Sequence, residues 1–213
     1  MAESMTYSSL IQDVQDYAER NDSPFLEQIP RFVMLAENRI ATEVRGLGFV
    51  RFVTGDMIQG NGILPKPARW RETAGMAYTD PETDEAVFLK QRALSFLRAY
   101  WPNKTLEGKP LYYSDYAYEH WLIVPTPDFA YPIEISYFER PTPLSFADQT
   151  NWMTQYAPQL ILYATLMEAQ PFLKRPERMA EFQALFDRAA QTVAAESQRR
   201  MGGDQVLVRT GLQ

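Results

Sequence analysis

Between Tyr131 and Leu173 the spacing of hydrophobic positions changes from a period of two to a helical one. Ile133, Ile135 and Tyr137 alternate with Glu134, Ser136 and Phe138, which predicts a half-buried strand over 133–139. Pro132 can only open such a strand. Pro141 and Pro143 exclude both ladder and helix, and the polar run 145–151 predicts an exposed connector. Pro158 then stands where a helix tolerates proline, ahead of a segment over 159–172 that is apolar nearly all round. At 1.5 Å per residue such a helix is roughly 20 Å long, too short to span a bilayer, so protein must surround it.

Before this join, Thr6 is a helix N-cap ahead of Leu10, Val14, Tyr17 and Ala18 on one face, with an end expected near Asn21. Asp22-Ser23-Pro24 is a second start signal, and Ile29, Phe32, Val33, Ala36, Ile40 and Val44 continue an apolar stripe. Because a mid-helix proline costs about 3 kcal/mol, the regular helix is expected to begin at or just before Pro30, with 24–28 forming a separate turn. Gly46 and Gly48 are expected to stop it. Extended patterns follow over 49–57, 70–78, 87–91, 111–117 and 120–124, with a hairpin-type turn at 59–62, an exposed acidic loop at 80–85 and a short helix over 93–100. After Pro176, Met179, Phe182, Phe186, Ala189, Ala190 and Val193 form one seam of a last helix expected to pack on its predecessor. The pattern predicts an α+β fold. The N- and C-terminal helices form a bundle over 1–48 and 144–200, and a central, mostly antiparallel β domain, a small sandwich or open barrel, spans 49–143. An extended arm follows at 201–213.

Three runs carry a family likeness: Asn151-Trp152-Met153 with Ala157-Pro158, then Leu160 to Ala164, and Glu168-Ala169 with Pro171-Phe172-Leu173. With Tyr131 to Phe138, Glu177-Arg178, Ile29 to Phe32 and Leu35 to Ile40, the chain resembles the tailed-phage head-to-tail adaptor, or connector, proteins over most of its length. The resemblance implies a virion structural protein and a ring of twelve copies beneath the portal. Its partners would be the portal protein, a downstream tail or nozzle protein and double-stranded DNA passing through without sequence-specific binding. It also implies a place in the virion neck after synthesis in the host cytoplasm.

The chain has 213 residues and 46% hydrophobic content, enough for a sizeable core in one or two domains. No secretion signal and no apolar window of membrane-spanning length are expected, hence no membrane partner. With no cysteine, disulfides, thiolate metal sites and cysteine nucleophiles are excluded. Net charge is −6, acidic as far as residue 173 and basic only beyond it, which makes a poor non-specific nucleic-acid binder but suits a channel that DNA must slide through.

Candidate chemistry is sparse, and no catalytic, metal or cofactor site is expected. His120 is the single histidine and has no second ligand or nucleophile at readable spacing, while Asp115 and Glu119 read as solvated carboxylates. A hydrolase built on His120 and Asp115 is a distant third reading. Tyr112, Tyr113, Tyr116, Tyr118 and Trp121 could line a carbohydrate-binding sheet, the alternative function, but a sheet core with an interface belt explains them more simply. Two sets of residues are assigned to assembly. Leu160, Ile161, Tyr163, Met167, Phe182 and Phe186 are expected to pack subunits, because helix 159–172 has more apolar faces than one neighbouring helix can cover. Arg199, Arg200, Val206, Leu207, Val208 and Arg209 form a basic, strand-like arm after a Gly-Gly hinge, expected to dock on the portal or an adjacent subunit.

Overall fold

The computed structural model describes residues 4–44 and 46–201, so Val206 to Arg209 of the expected arm lie outside the described residues. In chain order the elements begin with helices α1 (Tyr7–Ala18), α2 (Ser23–Leu26) and α3 (Ile29–Glu43) and a 3₁₀ turn at Leu47–Phe49. Strands β1 (Val50–Asp56), β2 (Ile63–Pro65), β3 (Trp70–Asp80), β4 (Glu85–Phe88) and β5 (Lys90–Gln91) precede helix α4 (Leu94–Tyr100). Strands β6 (Glu107–Gly108), β7 (Tyr112–Ala117), β8 (His120–Val124), β9 (Thr126–Pro127) and β10 (Pro132–Glu139) are followed by helices α5 (Trp152–Tyr156), α6 (Pro158–Leu173) and α7 (Pro176–Met201). The fold is α+β, and the chain divides into a helical unit, residues 1–49 with 141–213, and a β unit, residues 50–140.

In the helical unit, α6 is the centre, packing against α1, α3, α5 and α7. Its apolar side chains point all round, and Leu160, Ile161, Ala164, Leu166, Met167 and Ala169 are all buried. Thr6 caps α1 by accepting from the Ser9 N–H while Ser9 Oγ accepts from the Thr6 N–H. That helix ends at Ala18, three residues before Asn21, because Glu19 turns left-handed at φ 53°. Pro30 sits in the first turn of α3 and α2 is a separate turn, as the cost of an internal proline requires. The α3 helix stops at Glu43, before either glycine. Arg39 on α3 and Glu168 on α6 make an ion pair at 2.6 Å.

The β unit has two four-stranded sheets, ordered β1-β10-β3-β4 and β2-β8-β7-β5, and a short parallel pair β6-β9. Strand β10 is central in the first sheet, and Ile133, Ile135 and Tyr137 are buried on one face as their alternation requires. Between the sheets lie Met76, Tyr78, Tyr113, Trp121, Ile123, Ile133 and Ile135. The Trp121 indole N–H donates to Thr73 Oγ1 at 3.1 Å, tying β8 to β3 across this core.

Two expectations are corrected. The turn at 59–62 does not join a hairpin: β1 pairs with β10 and β2 with β8. Gly62 lies so close to β8 that a Cβ would stand 2.7 Å from the Ile123 carbonyl oxygen, so the chain after the turn is committed to the other sheet. The acidic loop is exposed from Pro81 to Glu85, but Asp80 is buried and held by Lys109 Nζ at 2.8 Å. Lys109 also binds Glu82 at 2.7 Å, so one lysine offsets part of the loop's charge.

Candidate functional site

The polar connector between the last strand and α5 is fastened at several points within the helical unit. The Tyr7 N–H donates to the Gln149 carbonyl at 2.7 Å, and Gln149 Oε1 accepts from the Ser8 N–H and hydroxyl at 3.0 Å each. Asn151 is buried and caps α5, accepting from the Met153 and Thr154 N–H groups. The deepest fastening is Glu37 on α3, only 6% exposed. Its Oε1 accepts from the Leu144 N–H and from Asn151 Nδ2, both at 3.0 Å. Burial pushes the Glu37 carboxyl up to about 7, against the opposing pull of those two hydrogen bonds. A single side chain therefore joins α3 to the connector. It was legible in principle: Glu37 sits four residues after Val33 on the apolar stripe of α3, where a carboxylate needs partners.

The run Asn151-Trp152-Met153 acquires a physical reason in the same unit. Trp152 packs on Phe49 with ring centroids 4.9 Å apart and reaches Tyr156 at 6.3 Å. Gly48 lies directly against its indole, where a Cβ would fall 1.9–2.3 Å from ring atoms. Glycine is required there by close approach, which the spacing Gly46-x-Gly48 could not reveal.

In the β unit, the sequence gives no hint of Lys66. Its side chain is 2% exposed, with Nζ 3.6 Å from the Trp70 ring centroid, 2.6 Å from Asp115 Oδ1 and 3.1 Å from the Ala117 carbonyl oxygen. Asp115 is thus an ion-pair partner, and the Glu119 carbonyl accepts from the Lys66 N–H. Replacing Lys66 by methionine is expected to cost about 1–2 kcal/mol through loss of the charged hydrogen bond and the cation–π contact. Asp115, half-exposed, remains hydrated in that variant, which limits the cost; urea unfolding followed by tryptophan fluorescence measures it.

The tyrosine-rich segment does not form one platform. Tyr113 and Trp121 are core residues, Tyr112 packs edge-on against Phe96 and Tyr100, and Tyr116 and Tyr118 are exposed near the β7–β8 turn. His120 is half-buried, opposite Ala117 on β7 and Pro65 on β2. Among the described residues, no group of three or more His, Asp or Glu is arranged to hold a metal ion, and no helix is long and apolar enough to cross a membrane.

Of the residues assigned to subunit packing, Leu160, Ile161, Met167, Phe182 and Phe186 are buried within the helical unit itself and Tyr163 is half-buried. At the base of the arm, Arg200 pairs with Glu196 one turn back along α7, and Arg199 donates to the Ala195 carbonyl at 3.3 Å.

Across the α+β fold, many charged side chains pair with one another, while large apolar ones such as Phe52, Phe88 and Tyr156 stay exposed. The model of the SU10 adaptor protein family matches residues 5–209, and the chain belongs to that family of phage head-to-tail adaptors. Among curated proteins, none matches the sequence.

Proposed function

We propose that copies of this chain form the ring-shaped adaptor between the portal and the tail of a phage virion, a conduit for DNA in packaging and ejection. The observation that carries this reading is the family match over residues 5–209. The net charge of −6 supports it, because a channel that lets DNA slide needs few clustered cations. Twelve copies is the number that the resemblance to connector proteins implies.

In this reading the arm, residues 203–213 with Arg199 and Arg200 at its base, docks outside its own subunit, on the portal or an adjacent subunit. The pattern Val206-Leu207-Val208-Arg209 suits main-chain pairing with a sheet edge, and its arginine suits an acidic surface. Leu160, Ile161, Met167, Phe182 and Phe186 act at the subunit seam by fixing where α6 and α7 stand, and Tyr163 is the member that reaches a neighbour. The β unit meets the tail-side partner or neighbouring subunits, with Glu82, Asp84 and Glu85 the foremost contacts.

Deleting residues 203–213 tests the proposal. The folded subunit is expected to keep its unfolding temperature, while attachment to portal-bearing heads is lost. Normal attachment by the truncated protein, or a large drop in the unfolding temperature, would rule the arm out.

A further inference from the structure

The β unit has an open side. There β1, an edge of one sheet, and β2, an edge of the other, flank a groove of about 380 Å³ whose floor is Ile123, Ile133 and Ile135. Strand β1 is seven residues long, pairs only with β10 among the described residues, and exposes Phe52 to 67% and Val53 to 36%. A long edge strand with exposed apolar side chains and no covering element is a template for another strand. Gly55 lines the groove opposite Ile133, so its missing side chain is on the core-facing side. A Cβ built there meets nothing within 4 Å, which leaves the groove floor accessible beside the β1 backbone.

We propose that this edge receives residues 204–210 of a second copy of the chain, so that each subunit gives one arm and accepts one. The inference rests on the ring reading and names the surface that the arm would occupy. Twelve residues follow Met201, enough to reach roughly 40 Å when extended, whereas pairing along β1 uses about seven of them. Their side chains fit the edge in one parallel register. Val206 beside Val53 and Val208 beside Gly55 would face the groove floor, Val208 filling the space that the glycine leaves. Leu207 would then lie on the outer face beside Thr54 and next to exposed Phe52, and Arg209 beside Asp56. Asp56 makes no ion pair among the described residues, so the arginine would meet a carboxylate that has no partner. A contact in which one surface gives and a different one receives is heterologous, the kind that builds a ring where the repeated rotation closes on itself.

The absence of cysteine makes the test clean. A chain carrying Val53→Cys and Val206→Cys, assembled on portal-bearing heads and oxidised, should give a ladder of linked chains on a non-reducing gel, and neither single variant should. A monomer-sized intramolecular link, or no link, would overturn the proposal. Gly55→Phe fills the groove and should lower attachment at least tenfold while the unfolding temperature stays within a few degrees. Should that variant fold poorly, Asp56→Arg should impair attachment and Arg209→Asp should restore it in the double variant. If deleting 203–213 abolishes attachment while Gly55→Phe and Asp56→Arg attach normally, the arm reading stands and this docking edge falls. If the deletion also attaches normally, both fall.

Discussion

Replacing Glu37 by alanine is expected to destabilise the helical unit by about 2–4 kcal/mol near pH 6, because the Leu144 N–H and Asn151 Nδ2 lose their shared buried acceptor. The loss propagates, since Asn151 also caps α5 and bonds the Thr142 carbonyl. Glutamine separates acceptor from charge: Glu37→Gln keeps an oxygen for both donors and cannot ionise. The carboxyl titrates near 7 in the fold against about 4.5 when unfolded. Its protonation therefore favours the folded state, a contribution fully present below pH 4.5, declining through the interval up to 7 and absent above it. The span corresponds to about 3 kcal/mol. Wild-type protein should accordingly lose stability relative to Glu37→Gln as pH rises from 4.5 to 7.5, the variant matching it at the acid end and exceeding it at pH 8. Tyr7, whose hydroxyl is pushed above its ordinary range by burial and by the Glu37 charge, ionises well outside that interval. Chemical denaturation at several pH values reads the difference. Parallel curves for the two proteins would contradict the account.

Gly48→Ala is expected to be nearly as severe. One methyl group would overlap the Trp152 indole at 1.9–2.3 Å, so the ring must leave its place on Phe49 or the 3₁₀ turn must shift. Overpacking of this kind costs about 1–3 kcal/mol or more, and the upper end is expected because the obstructing atoms belong to a rigid ring. That corresponds to a fall in unfolding temperature of roughly 10 °C. The effect should shrink in a Trp152→Leu background, where the methyl group has room. An equal loss in both backgrounds would mean that backbone preference, not the indole, makes glycine necessary.

Residues whose surroundings are set by near neighbours were legible, and those set by distant pairing were not. The alternation from Ile133 to Phe138 marks the central strand because the sheet buries one face along its whole length. The all-round apolar character of α6 marks the central helix for the same reason. The turn at 59–62 misleads because a local hairpin signal competes with two long-range pairings, to β10 and to β8, that no local pattern encodes. Asp80 looked exposed among acidic neighbours because its cation, Lys109, is 29 positions away. Lys66 and Gly48 were invisible for a related reason: each is defined by an aromatic ring whose proximity arises only on folding. The family likeness, in contrast, was carried by short runs at known spacing, and the match over residues 5–209 agrees with it.

The most direct measurement is an averaged electron-microscopy image of virions whose copies of this chain carry a small tag in the exposed turn 81–84. The account predicts a closed ring of density between portal and tail, with the tag on its tail-facing or outer side. Tag density on the capsid shell or at the distal end of the tail, or a head–tail vertex without a ring of this chain, would contradict it.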